Sequence, residues 1–191
     1  VWVYVMNPIL LIFWLFVLSA IFSITVGKRE QERLFSLATR DGLTGLYVIR
    51  HFRTLLNDAV VEACKKRQAL SLILLDLDHF KNINDKYGHE AGDVALRYVA
   101  DTLRTMTRVE GDNGEPNVPA RYGGEEFIVL FKKCHLIDAA FNYGEKIRRQ
   151  FEQKSFTYEG VKIPLTVSMG VSTLRPGETV PDLMVHRADE P

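Results

Sequence analysis

The run from Val1 to Val26 holds no charged side chain, and it limits what this chain can fold into more than any other feature. Its densest part is Ile9-Leu10-Leu11-Ile12-Phe13-Trp14-Leu15-Phe16-Val17-Leu18. About 20 apolar residues cross the hydrocarbon core of a bilayer as a helix, so the run is long enough to span. A buried core helix of this length would be unusual, and a cleaved signal peptide has a shorter core behind a basic segment. Trp2, Tyr4 and Trp14 suit interfacial or lipid-facing positions. Asn7-Pro8 marks a helix start or a kink, since proline fits a first helical turn. Charges follow at once in Gly27-Lys28-Arg29-Glu30-Gln31-Glu32-Arg33, and basic flanks face the cytoplasm. The expected organisation is a transmembrane helix over residues 1–27, a helical signalling linker over 28–40 and one soluble domain over 41–191. The linker sets Leu34, Phe35 and Leu37 among charges and is too short to display heptads.

The soluble part is the right size for one domain with one core. Its helices are expected near residues 48–67, 90–108 and 137–153, with a last one opening at Asp182. Leu70 to Leu75 is apolar but for Ser71 and ends in Asp76-Leu77-Asp78, which reads as a strand buried on both faces. Further strands are expected near Ala120 and Phe127, over 156–163 and over 165–173, with Tyr158-Glu159-Gly160 as a turn. Helices mixed with hairpin strands around one sheet make an α+β fold. The chain balances 24 basic against 24 acidic residues, which argues against a nucleic-acid-binding surface. Cys64 and Cys134 lack metal-ligand spacing and read as free thiols, and the histidines show no zinc spacing either.

Two acidic segments stand out. Arg121-Tyr122-Gly123-Gly124-Glu125-Glu126-Phe127 runs into Ile128-Val129-Leu130-Phe131, which reads as a hairpin with an acidic tip. Glycines permit the positive φ of a tight turn and a close approach by a ligand. Adjacent carboxylates offer oxygen ligands to a hard cation. A solvated acidic turn is the plainer alternative for that segment alone. The other segment is the strand end. Asp76 and Asp78 are expected on one face with Leu77 on the other, and carboxylates there are poorly placed for packing. Lys81 and Asn84, three apart, share a face if helical; Lys81 can meet a phosphate and Asn84 a base edge. Asp93 is either a ligand for a base or the N-terminal carboxylate of the following helix.

Asp76-Leu77-Asp78-His79-Phe80-Lys81-Asn82-Ile83-Asn84-Asp85, Gly88-His89, Gly92-Asp93 and the acidic hairpin resemble the GGDEF family of diguanylate cyclases. Asp41-Gly42-Leu43-Thr44-Gly45-Leu46 is similar to that family's opening motif, Thr166 to Val171 to a late strand, and Arg187-Ala188-Asp189 to the start of its closing motif. The resemblance implies a fold like nucleotidyl cyclases and the polymerase palm, with a central, mostly antiparallel sheet surrounded by helices. It implies condensation of two GTP into cyclic di-GMP with loss of two pyrophosphates, by a homodimer needing Mg²⁺ or Mn²⁺. Asp76, Glu125 and the Leu77 backbone carbonyl would hold the metal, with Glu126 as a further carboxylate assisting deprotonation of the hydroxyl. Lys81 and the backbone around His79 and Phe80 would meet the terminal phosphates. Asn84 and Asp93 would read the guanine edge, and Gly123 and Gly124 would lie against the nucleotide. Asp78 is as readily a structural hydrogen-bond acceptor. Aspartate rather than serine at position 93 favours GTP as sole substrate. The implied location is the bacterial inner membrane with the domain in the cytoplasm. The alternative is a degenerate module that binds GTP or cyclic di-GMP and regulates an attached partner.

The sequence also departs from the family pattern. Val48 and Ile49 replace an Asn and an Arg of the opening motif. Gly114 and Asn117 stand where many members carry the Arg-x-x-Asp product-inhibition site, within an expected enlarged loop; Arg108 and Asp112 are a less favoured substitute. The family's closing helix, with its phosphate-binding Lys and Arg, would follow Pro191, and the chain begins without Met; a fragment truncated at both ends is expected.

Overall fold

The structure, a computed structural model, describes residues 8–107, 117–134 and 137–190. Trp2, Tyr4, Gly114 and the Arg108–Asp112 alternative lie outside them. Two compact units result, Val1–Thr39 and Arg40–Pro191. In the first, α1 (Pro8–Thr39) runs unbroken from the apolar stretch through the charged one. Over Ile12–Thr39 it is long and apolar enough to cross a membrane, with a mean hydropathy of 1.5 over its most apolar stretch, none of which is buried.

The second unit is built around β2 (Leu70–Leu77), whose residues are buried except Asp76. The sheet order is β1 (Tyr47–Val48), β3 (Val118–Gly123), β4 (Glu126–Lys132), β2, β7 (Val167–Thr173). Only the β1–β3 pair is parallel, so the sheet is mixed and mostly antiparallel. Alternation along β2 divides its leucines between two cores. Leu70, Leu72 and Leu74 pack with α2 (Ile49–Lys66) and α6 (Pro181–Asp189). Ile73, Leu75 and Leu77 pack with α4 (His89–Thr107) and α5 (Ile137–Gln153). Burying each such side chain contributes about 1.5–3 kcal/mol, which makes β2 the element that ties the layers together.

Three expectations change in detail. The stretch over 156–163 is a hairpin, β5 (Phe156–Tyr158) and β6 (Val161–Ile163), in its own two-stranded sheet. Glu159 and Gly160 turn it with φ of 47° and 80°, so one extended strand cannot form there. β1 is an edge strand whose two residues have no apolar run to announce them. α4 begins at His89, four residues before Asp93, so Asp93 sits in the second turn and is not its N-terminal carboxylate. Neither Cys64 nor Cys134 is in a disulfide among the described residues, and Cys64 Sγ donates to the Glu178 carbonyl at 3.4 Å.

Candidate active site

The acidic turn is one residue later than the paired glycines suggest. Gly123 pairs with Glu126 after a register shift from Arg121, leaving Gly124 and Glu125 as the two turn residues. Gly124 has φ +43°, which favours glycine. Gly123 lies within β3, and a Cβ there would meet Glu126 Oε2 at 3.8 Å, an ordinary contact. Neither backbone strain nor crowding within the protein therefore requires a glycine at 123.

β2 and β4 set Asp76 directly opposite Glu126. Like charges facing each other across an antiparallel pair are destabilising. These two continue the row Leu74–Ile128, whose leucines and isoleucine lie under α6. α6 ends at Asp189, and Asp189 adds its charge to the field at Glu126. Partial burial comes first among the causes that raise the Asp76 carboxyl above the ordinary aspartate range, followed by the charges of Glu125 and Asp78. Burial also raises Glu126, with Asp76, Asp189 and Glu125 adding repulsion. All the charges acting on this pair are carboxylates.

Asp78 is not equivalent to Asp76. β2 ends at Leu77, and Asp78 accepts a 2.6 Å hydrogen bond from Ser168 Oγ while its N–H donates to the Thr166 carbonyl. The structural reading of Asp78 is the one the contacts bear out. The chain then turns at His79, in the left-handed region at φ 58°, and enters α3 (Phe80–Tyr87). Lys81 is exposed near its start, and Asn84 lies one turn on, on the same side of the helix. Gly92 of α4 is where Asn84 rests: a Cβ at Gly92 would meet Asn84 Oδ1 at 2.0 Å and Phe80 Cζ at 3.1 Å. The glycine thus makes the notch that seats the Asn84 amide, and half-buried Asp93 is the next residue along.

The donors fit a hard divalent cation. They are carboxylate and carbonyl oxygens, and the carboxyls of Asp76 and Glu126 are raised first by burial and then by neighbouring carboxylate charge, which a cation would offset. Among the described residues, no group of three or more His, Cys, Asp or Glu side chains converges as a self-sufficient metal cage. That agrees with magnesium, which is commonly held by one or two carboxylates together with substrate phosphates.

The spacing of motifs gave no role to Asp41 or Arg121, yet the fold joins them. Arg121 Nη1 lies 3.1 Å from Asp41 Oδ1, and its Nη2 donates to the Gly124 carbonyl at 2.7 Å. The only sequence signal was that each residue belongs to a motif.

This combination of mixed sheet, acidic turn and opposed carboxylates matches a known family. The family model described as "Diguanylate cyclase, GGDEF domain" covers residues 38–191. The chain belongs to the GGDEF family. Diguanylate cyclase A of Treponema denticola is 36% identical over 177 residues, which cover 91% of this chain and 46% of that protein. The chain thus spans under half the length of that relative. Among solved structures, the coiled coil and GGDEF domain of DgcB from Caulobacter crescentus, in complex with c-di-GMP, aligns with a TM-score of 0.78 at 29% identity, covering 91% of this chain and 88% of that one. The active GGEEF domain of a diguanylate cyclase from Vibrio cholerae aligns with a TM-score of 0.65 at 30% identity, covering 74% and 85%. That GGDEF relative shares the Glu125 variant of the signature in this chain.

Proposed function

We propose that the chain is the catalytic part of a membrane-anchored diguanylate cyclase that condenses two GTP molecules into cyclic di-GMP. The observation that carries this reading is the carboxylate set at one sheet end, Asp76 opposite Glu126 with Glu125 in the adjoining turn, together with the Asn84–Gly92 notch that follows β2 in the chain. Asp76, Glu125 and the Leu77 carbonyl hold Mg²⁺ or Mn²⁺, which when bound neutralises triphosphate charge and acidifies the attacking hydroxyl. Lys81 and the backbone of His79 and Phe80 bind the terminal phosphates. Asn84 and Asp93 read the guanine edge, where a carboxylate accepts from the N1 and N2 donors. Gly123, which the protein's own packing does not require, leaves room for the nucleotide.

Each 3′-oxygen attacks the α-phosphorus of the other GTP. One O–P bond forms, the bond to the β-phosphate oxygen breaks, and pyrophosphate leaves. Glu126, directly opposite Asp76 across the β2–β4 pair, accepts the hydroxyl proton. One domain offers one such site, so turnover requires a homodimer. The anchor is α1, with the domain on the cytoplasmic side of the bacterial inner membrane, where GTP is available; a signal reaches the domain through the helical segment of residues 28–40.

The test supplies the whole protein with GTP and Mg²⁺ and identifies products by mass. Cyclic di-GMP and pyrophosphate should accumulate at one to two, and Asp76→Ala or Glu125→Ala should lower the rate about 100- to 1,000-fold, the range lost with a group that stabilises transition-state charge. A parent protein that binds Mg²⁺-GTP yet forms no cyclic di-GMP would overturn the enzymatic reading in favour of a regulatory binding module.

A further inference from the structure

We infer that Asp41 and Arg121 form a positioning pair that fixes the turn bearing the metal-binding Glu125. The inference rests on the proposed function for the identity of the metal site. It goes beyond it by assigning a role to two residues outside that site.

The guanidinium of Arg121 is held on two sides. Its Nε and Nη2 both donate to the Gly124 carbonyl, at 3.0 and 2.7 Å. Its Nη1 reaches both oxygens of Asp41, at 3.1 and 3.3 Å. The ion pair is well shielded, with the two side chains 19% and 23% exposed. Such shielding makes it stronger than a surface pair, which is worth little. Gly124 immediately precedes Glu125, so the bond to its carbonyl fixes the peptide plane from which Glu125 departs.

Asp41 is itself immobilised. The N–H and hydroxyl of Thr44 both donate to Asp41 Oδ1, at 2.9 and 2.7 Å. The Asp41 backbone closes the same loop, donating to Leu46 O and accepting from Gly45 N, each at 2.8 Å. Arg104 of α4 ties the loop to the domain core by donating to the Thr44 carbonyl at 2.7 Å. The turn therefore has an anchor 80 residues away in the sequence. Without it, the tip would be held only by the β3–β4 ladder, which already carries a register shift beside Arg121. Asp76 and Glu126 stand directly opposite each other beside this tip, and like charges so placed disfavour the pairing. A tie to the tip's backbone is what such a repulsive site needs in order to be preorganised.

A lysine cannot replace this arginine. Its single ammonium lacks the planar fork that meets a carbonyl and a carboxylate in fixed directions.

The test compares the whole protein with Arg121→Ala, Arg121→Lys, Asp41→Asn and the Arg121→Ala/Asp41→Asn double variant. Two quantities are read: the Mn²⁺ concentration for half-saturation with a non-hydrolysable GTP analogue, followed by electron paramagnetic resonance, and the kinetics of GTP turnover. The expected result is a rise of about tenfold or more in the Mn²⁺ half-saturation concentration and a fall of about 100-fold in kcat, the size of effect a misplacement near 1 Å produces. KM for GTP should stay within about threefold, because the Asn84–Asp93 end is untouched. The double variant should lose no more than the worse single one, as residues acting as a unit do. Arg121→Lys should resemble Arg121→Ala, and it serves as the readout if the alanine variant does not fold. Wild-type Mn²⁺ affinity in a folded arginine variant would overturn the pairing role. A parent that binds Mn²⁺ with the analogue but does not turn over GTP would overturn the proposed function alone. A parent that binds no Mn²⁺ would overturn both.

Discussion

The carboxylates of this domain divide into two kinds, and the division has opposite consequences for pH. Burial pushes Asp41 up, but hydrogen bonds from Thr44 and the Arg121 charge prevail and hold it below the ordinary aspartate value. A depressed carboxyl contributes stability above its unfolded pKa and loses it as pH falls through the folded one. Asp76 and Glu126 are raised, so the folded state holds their protons more tightly than the unfolded chain does. Their effect favours the folded state at acid pH and is lost as pH rises through the folded pKa. At neutral pH the ionised pair therefore opposes folding in the absence of metal. Glu126→Gln removes one charge and leaves the shape. Its thermal midpoint in metal-free buffer should exceed the parent's by about 1–3 °C near pH 8, a fraction to one kcal/mol for a domain of this size. The gap should narrow as pH falls toward about 4, where an ordinary glutamate is already largely protonated. Scanning calorimetry at the two pH values decides it, since an equal gap at both would mean that repulsion is not the cause.

Among the elements, α6 shows how closely a helix can be seated on a sheet. A Cβ at Gly170 of β7 would come within 1.7 Å of the Ala188 carbonyl oxygen and 2.7 Å of its carbon. This is backbone against backbone, so no rotamer change relieves it. Ser172 Oγ donates to the Met184 carbonyl at 2.7 Å, and Arg187 donates to the Thr173 carbonyl at 2.8 Å while pairing with Glu178. Gly170→Ala must lift the end of α6, and Asp189 with it. The expected loss is about 1–3 kcal/mol of unfolding free energy, the usual range for overpacking. Urea denaturation measures it, and a change under about 0.5 kcal/mol would mean that α6 is seated less closely than the contact implies.

The same elements show how much of the fold could be read in the sequence. α2, α4 and α5 were legible because their apolar residues recur at the helical period, and β2 because it is a short, nearly continuous apolar run. The turn at Tyr158-Glu159-Gly160 was legible from its turn residues, whereas the Gly124–Glu125 turn falls one residue later than the paired glycines suggest, because a positive φ at one residue is invisible to periodicity. Each candidate site residue could be named from its motif, but Asp76 facing Glu126 is a matter of strand register. The Asp41–Arg121 pair was not legible, since nothing in two motifs 80 residues apart states that one side chain reaches the other.

For the whole molecule, the proposed chemistry sets a requirement that one chain cannot meet. On that chemistry each domain would hold one GTP, and both phosphodiester bonds would join nucleotides from different domains. The rate must therefore depend on the concentration of dimer. Below the dimer dissociation constant, specific activity falls in proportion to protein concentration. Anchoring by α1 would confine chains to a surface and raise their effective concentration without any new contact. In detergent, a tenfold dilution across the range where light scattering shows monomer should lower specific activity about tenfold. The same protein reconstituted in vesicles at fixed lipid ratio should keep its specific activity when the vesicle suspension is diluted, because the density in the membrane is unchanged. A demonstrably monomeric preparation with undiminished specific activity would sink the requirement for two domains, and with it the homodimer in the proposed reaction.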